Sequence, residues 1–353
     1  MSRKPSFTFL LSFFLLFAAL PTFADEEIPA EEEGETSFIL HHVQDEHQWH
    51  LATIGHTEVT IPLPIILFSP DRGLEVFSSR NFFDEAHEPV PYQGYMIDHN
   101  HIVATDEGRT VYDFSITKNV AALFISMALM LIIFLTVASR YKKGAKAVPR
   151  GLQSLFEPII VFIRDEIAIV NIGRDKYQRF MPYLLTLFFF VWFSNLLGLF
   201  PGAANLTGNI AVTFVLAVFT FLYTNLNGNK EYWKHIFATP GVPKLLLPIL
   251  VPVEFLGLFT KPFSLMIRLF VAITAGHIVI LSLIALPFIF DSFAVGIGSA
   301  VLIVFVNLIE LLVATIQAYV FTLFSAMYIG AAVAEHHHEE HTSEEHQVDK
   351  SLI

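Results

Sequence analysis

The stretch "KPFSLMIRLFVAITAGHIVILSLIALPFIF", residues 261 to 290, decides the architecture. It holds one guanidinium, Arg268, and one imidazole, His277, in an otherwise almost purely apolar run. With the residues before it, it makes an apolar segment from 245 to 286, and a second of similar length runs from 293 to 334. A helix of some forty residues is about 60 Å long at 1.5 Å per residue, roughly twice the hydrocarbon thickness of a bilayer. Neither segment can stand upright as a simple span, so both must tilt or bend. "PFIFDS" lies at the turn between them, and the pair reads as a hairpin. Pro248, Pro252 and Pro262 are expected to break the first helix near one end, leaving it uninterrupted from Phe263 to Leu286.

The rest of the chain agrees with a membrane setting. Of its 353 residues 54% are hydrophobic and only 15% charged, which excludes an ordinary water-soluble domain. Cysteine is absent, which removes disulfides, thiolate metal sites and cysteine nucleophiles. Further apolar segments at 118–140, 181–200 and 209–226 bring the expected membrane helices to about five. The fold class is therefore an all-α integral membrane protein, its last two helices long, tilted and hairpin-like, with a small β-containing exported domain at the N-terminus.

Residues 1–24 have a basic start, a short apolar core, Pro21 and a small-residue site ending at Ala24, as in a cleavable secretory signal. Residues 25–116 read as an acidic leader followed by a small periplasmic domain, with strand-like pieces such as "HTEVTIPLPIIL" and "GYMIDHNHIVAT". The membrane domain covers 117–334. Arg140, Lys142, Lys143, Lys146 and Arg150 follow the first span, and Lys230, Lys234 and Lys244 lie in a later loop, whereas the turns near 203 and 290 carry no Lys or Arg. By the positive-inside tendency those basic loops are cytoplasmic. Residues around 152–180 mix charges with apolar residues and are expected to form an amphipathic helix on the cytoplasmic surface. The His/Glu-rich tail 335–353 is then cytoplasmic as well, and the protein is a multi-pass component of a bacterial inner membrane.

The polar residues inside the hairpin fall in order. Glu254, Lys261 and Arg268 are seven apart, one stripe of a helix, and His277 is nine beyond Arg268, about half a turn round. On the second helix Asn307, Glu310 and Gln317 share a face. Such groups are costly in lipid, about 2.5–3.5 kcal/mol for a central arginine on insertion scales, so they face protein or water. Glu254 and Lys261 can also snorkel or pair at the surface, and Asn307 and Gln317 can bridge helices by hydrogen bonds. His277 alone fits a buried, satisfied histidine. Arg268 cannot shed its proton and has no acid near it in sequence, so a carboxylate or a water cavity must meet it.

"KPFSLMIRLFVAITAGHIVI" followed by "NLIELLVATIQAYVFTLFSAMYI" resembles the two C-terminal helices of subunit a of F-type ATP synthases. The resemblance covers about 117–334 and rests on Arg in "RLF", a polar residue closing "TAGH" and Gln in "IQAYVF". It implies that Arg268 is the stator arginine facing a c-ring carboxylate, and that His277, Glu310, Gln317 and Glu254 line two aqueous half-channels; Asn307 shares the Glu310 face and joins that path. In some members the His277 position is acidic and the Glu310 position is His; here the arrangement is that of mitochondrial-like members. Many members carry Asn four residues after the arginine, where this chain has Ala272. The implied partners are c-ring subunits, peripheral-stalk b subunits, the rest of the complex and the lipid bilayer. No cofactor, metal or nucleic acid is expected, and the chain is not an enzyme by itself.

Two other classes compete. An ion-coupled secondary transporter also buries Arg and His, although no second copy of the Arg268 segment occurs here. A metalloenzyme is suggested by "HHEEH", His337 to His341, which fits the inverted zinc motif but lies in the low-complexity tail.

Overall fold

The computed structural model of the chain describes residues 45–54, 57–84, 89–98, 101–106, 108–141, 151–200, 203–237, 243 and 245–334. The expected signal segment and acidic leader, and the histidine-rich tail with its H-x-x-E-H run, lie outside the described residues.

The helices follow the apolar runs. They are α1 (Lys118–Tyr141), α2 (Leu152–Phe162), α3 (Tyr177–Gly198), α4 (Ile210–Leu226), α5 (Lys230–Phe237), α6 (Leu247–Ile289) and α7 (Phe293–Val333). By length and composition α1, α3, α6 and α7 can each cross a membrane. α4, which bends by 105° into the short α5, makes a fifth crossing if that bent pair is one span. The mixed segment after α1 forms one run: α2 passes into a π-helical stretch, Ile163–Ile169, and then Val170–Ile172.

Two expectations are corrected. The prolines do not break the first hairpin helix, which is continuous with Pro252, Pro262 and Pro287 inside it. Pro248 sits in the first turn, where no N–H is needed, and in an apolar bundle neighbouring helices re-satisfy what an internal proline frees. The helical segment expected over 152–180 ends at Ile172, with one face packed on the bundle and Leu155, Phe162 and Val170 exposed on the other. Gly173, whose positive φ of 94° suits glycine, ends this run ahead of α3. Ile163, Ile167 and Ala168 are wholly buried. At Gly330 of α7 an added Cβ would come 2.0 Å from the Asn171 carbonyl oxygen, so only glycine permits this approach.

The core joins all these helices but α5 around α3, whose Leu184, Leu187, Phe189 and Val191 are fully buried. Phe189 meets Phe134 of α1 edge to face at 4.7 Å and Phe156 of α2 at 5.7 Å, the geometry aromatic quadrupoles favour. The far end of α7 is held by three donors. Lys176 Nζ donates to Val333 O at 2.8 Å, the Asn229 N–H to Ala332 O at 2.9 Å, and Asn229 Nδ2 to Ala334 O at 2.6 Å. Carbonyls that a helix end leaves open are thereby satisfied.

Among the described residues ahead of α1 lie seven short strands: β1 (Gln48–Ile54), β2 (Thr57–Pro62), β3 (Pro64–Ser69), β4 (Gly73–Ser78), β5 (Tyr95–Asp98), β6 (His101–Ala104) and β7 (Tyr112–Asp113). β1 pairs with β2 and β5 with β6, while β3 lies between β4 and β7. Ile65, Leu67, Phe82, Tyr95 and Ile102 make a separate small core. This region is bonded to the start of α1. The Asp45 carboxylate accepts from the Asn119 N–H at 3.0 Å and the Thr117 hydroxyl at 2.8 Å, serving as an N-cap supplied from a distance. His47 Nε2 donates to Asp113 Oδ2 at 2.9 Å. Burial alone would raise the Asp113 pKa, but the His47 and Ser115 hydrogen bonds outweigh it and hold it below the usual carboxylate value.

Candidate functional site

α6 and α7 run antiparallel, and their contacts fix the register. Near the turn, Ser299 Oγ donates to the Leu283 carbonyl. Further along, Glu310 lies against Gly276, then Arg268 against Phe324, then Lys261 against Tyr328.

Glu310 is 6% exposed, more enclosed than Arg268, His277, Glu254 or Lys261. A Cβ at Gly276 would come 2.9 Å from its Oε1, so glycine is what lets the carboxylate rest on the α6 backbone. Its Oε2 is buried with no hydrogen-bond partner among the described residues. An oxygen left in that state costs about 1–3 kcal/mol.

His277 follows Gly276 and so shares the depth of Glu310, as a tilted hairpin requires. It is half-buried, and among the described residues no hydrogen bond joins the two. Lys118, at the start of α1, lies within electrostatic range of His277. Around this level α3 adds polar groups. Asn195 Nδ2 donates to Ala314 O at 3.1 Å while its Oδ1 accepts from Thr207 at 2.6 Å. Trp192 Nε1 donates to Thr315 Oγ1 at 3.1 Å.

A second polar zone lies toward the other end. A small cleft, with about 20 Å³ of room for water, is lined by Thr220, Thr224, Asn225, Tyr232, Lys261 and Tyr328, with apolar residues between them. Thr224 Oγ1 is buried in it without a partner among the described residues. The Thr220 hydroxyl lies 2.8 Å from that of Tyr183 and 3.4 Å from that of Ser325.

Arg268 stands between the two zones, about 12 Å along α6 from Gly276 and about 10 Å from Lys261 at 1.5 Å per residue. It is half-buried and has no hydrogen bond or ion pair among the described residues. Its Cζ lies 4.3 Å from the centroid of the Phe324 ring. Gln317 is midway in sequence between Glu310 and Phe324, and Ala272 midway between Arg268 and Gly276, so the register sets Gln317 at the level of Ala272. Gln317, Glu254 and Asn307 are half-buried and make no polar contact among the described residues. Sequence reasoning missed Gly276, Asn195, Lys118 and Phe324. Asn195 is the readable one, an isolated amide in a span; the others matter through helix register, which the sequence does not display.

A family model described as "ATP synthase A chain" matches residues 120–330, and one described as a domain of unknown function matches residues 38–123. ATP synthase subunit a of Chloroherpeton thalassium is 47% identical over 239 residues, 67% of this chain and 71% of that protein. Subunit a of Pelodictyon phaeoclathratiforme is 48% identical over 236 residues, 65% of this chain and 68% of its own length. Subunit a of Myxococcus xanthus is 44% identical over 236 residues, 65% and 77% of the respective chains. None of these matches supports the secondary-transporter reading. With its family model covering the helices that carry Arg268, Glu310 and Gln317, the chain belongs to the ATP synthase A chain family.

Proposed function

We propose that the two polar zones are the two half-channels of a proton path, and that Arg268 separates them. A member of this family is a membrane component of the ATP synthase complex, and this chain serves there as the proton-translocating stator subunit. The observation that carries the residue assignments is the position of Arg268: a fixed charge between the zones, with no acid against it among the described residues. The missing acid is supplied from outside the chain, by the carboxylates of a ring of c subunits passing the hairpin. Peripheral-stalk b subunits hold the chain against that ring.

Protons enter by the zone of His277 and Glu310, with Asn307 and Gln317 continuing the polar lining of α7, and load a ring carboxylate. After the ring has turned they leave by the zone of Lys261 and Tyr328, with Glu254 at its mouth. Across ~4 Å at an effective dielectric near 20, a guanidinium and a carboxylate attract by ~4 kcal/mol. A unit charge crossing 100 mV gains ~2.3 kcal/mol. The two are comparable, so Arg268 keeps a passing carboxylate ionised and the proton-motive force still moves it on. The same charge repels a proton taking the direct route between the zones.

The strand-bearing region lies on the periplasmic side, the basic loops and C-terminus on the cytoplasmic side, and the chain catalyses no reaction by itself. The test is Arg268→Ala in the intact complex, with ATP synthesis and passive proton conductance measured in vesicles. Synthesis should be abolished and conductance raised while the complex still assembles. Arg268→Lys should also fail largely, because an ammonium lacks the planar fork and can lose its proton when desolvated. Normal coupled synthesis in Arg268→Ala would end the separator assignment.

A further inference from the structure

What holds Arg268 in place between passing carboxylates is visible in the hairpin itself. No carboxylate, amide or carbonyl bonds to the guanidinium among the described residues, and the group it lies against is the face of Phe324, at 4.3 Å. The neighbouring pair repeats the arrangement. Lys261 Nζ lies 5.7 Å from the centroid of Tyr328, and the Phe324 and Tyr328 rings are 6.1 Å apart. Phe324 and Tyr328 are four residues apart on α7, one above the other on the same face. Two cations of α6 are thus each set over an aromatic ring of α7. Ala272, one turn beyond Arg268 on its own helix, has no polar atom with which to hold the side chain.

We propose that Phe324 is a positioning residue for Arg268, holding the guanidinium against α7 whenever no carboxylate stands opposite it. The negative face of the ring attracts the cation and fixes its plane. That attraction is a fraction of the attraction of an ion pair, so an arriving carboxylate takes the guanidinium and a departing one returns it. A hydrogen-bonding side chain would hold the same group more tightly, and a purely apolar one would leave it to swing among several rotamers. This inference rests on the assignment of Arg268 as the separator facing a ring carboxylate.

The test uses the whole ATP synthase in inverted membrane vesicles, reading ATP-driven proton pumping and passive proton conductance. Phe324→Leu keeps most of the apolar bulk and removes the ring; pumping should fall roughly tenfold, the scale of a desolvated cation–ring contact, and conductance should rise. Phe324→Tyr keeps the ring face and should pump close to the parent rate. Ala272→Asn places an amide oxygen one turn from Arg268, and should recover pumping in the Phe324→Leu background by more than it alters the parent. Should Phe324→Leu not assemble, incorporation of pentafluorophenylalanine at 324 keeps the shape and inverts the charge distribution of the ring, and the same loss is expected. Parental pumping and conductance in the assembled leucine or pentafluoro variant would overturn the proposal. So would a leucine defect that Ala272→Asn leaves unchanged, because the ring would then act through packing alone. Coupled synthesis persisting in Arg268→Ala would instead remove the separator assignment beneath it, an outcome separable from failure of the Phe324 series.

Discussion

A methyl group at residue 276 tests the seat of Glu310 with little disturbance of the fold. In Gly276→Ala the new Cβ would lie 2.9 Å from Glu310 Oε1, 3.2 Å from its Cδ and 3.4 Å from its Cγ. All three atoms belong to the outer part of a flexible side chain, so the carboxylate moves and the backbone does not. Alanine in place of glycine inside a helix gains roughly 0.5–1 kcal/mol. Turning Glu310 away from a favoured rotamer costs about 0.5–1.5 kcal/mol. The two offset each other to within ~1 kcal/mol, so the complex should assemble and melt much as the parent does. The carboxylate, though, must shift by about half an ångström to regain contact distance. A misplacement of ~1 Å at a reacting group can cost 10²-fold, so about tenfold slower proton flow is expected here. ATP-driven acidification of inverted vesicles, normalised to assembled complex, gives the rate. Parental pumping by the assembled variant would refute the reasoning, since a displaced Glu310 would then carry protons equally well.

Three further outcomes follow from other parts of the chain. Gly330→Ala puts a Cβ 2.0 Å from the Asn171 carbonyl oxygen, where backbone cannot yield; a stability loss of about 1–3 kcal/mol or more should appear as a lower melting temperature of the detergent-solubilised complex. Asp113 has a folded-state pKa below its ordinary value, so its bond to His47 adds stability above about pH 4 and loses it as pH falls further; Asp113→Asn should therefore weaken hydrogen-exchange protection of residues 117–119 at pH 7, with the difference from the parent shrinking toward pH 3. Because the chain has no cysteine, one placed at the exposed Leu74 should react with a membrane-impermeant thiol reagent in right-side-out vesicles while one at Glu231 resists, and the reverse pattern would invert the proposed orientation.

The spans were legible because a bilayer reads composition almost directly. The apolar run 118–140 became Lys118–Tyr141, and 209–226 became Ile210–Leu226. Arg268, His277, Glu310 and Gln317 were legible for a related reason, since a polar side chain in such a run has to be accounted for. What stayed hidden depends on distance between chain segments. Pro252 and Pro262 argue for a break only if the freed carbonyls go unsatisfied, which the surroundings decide. The mixed composition of 152–172 suits a helix with one exposed face, and the glycine at 330 on a remote helix lets its end come close against the bundle. Likewise nothing local links Glu310 to Gly276 or Arg268 to Phe324, pairs separated by thirty residues or more and joined by the register of one hairpin.

The clasp at the end of α7 has a mechanical meaning. A stator must resist sideways load from the rotor that slides past it. Lys176 and Asn229, which grip the last carbonyls of α7, come from separate loops, one before α3 and one between α4 and α5. The loaded helix is thereby built in at one end like a cantilever, with its support spread over two anchorages. Its opposite end is joined to α6 through the short turn at Asp291, where the backbone takes the uncommon φ of 40°, and through the Ser299–Leu283 hydrogen bond near it. Deflection under load should therefore grow from the clasp toward that turn. Phe324 lies nine residues from Val333 and Glu310 twenty-three, so the ring beneath Arg268 sits on the stiff part of the beam while Glu310 rides on a more compliant one.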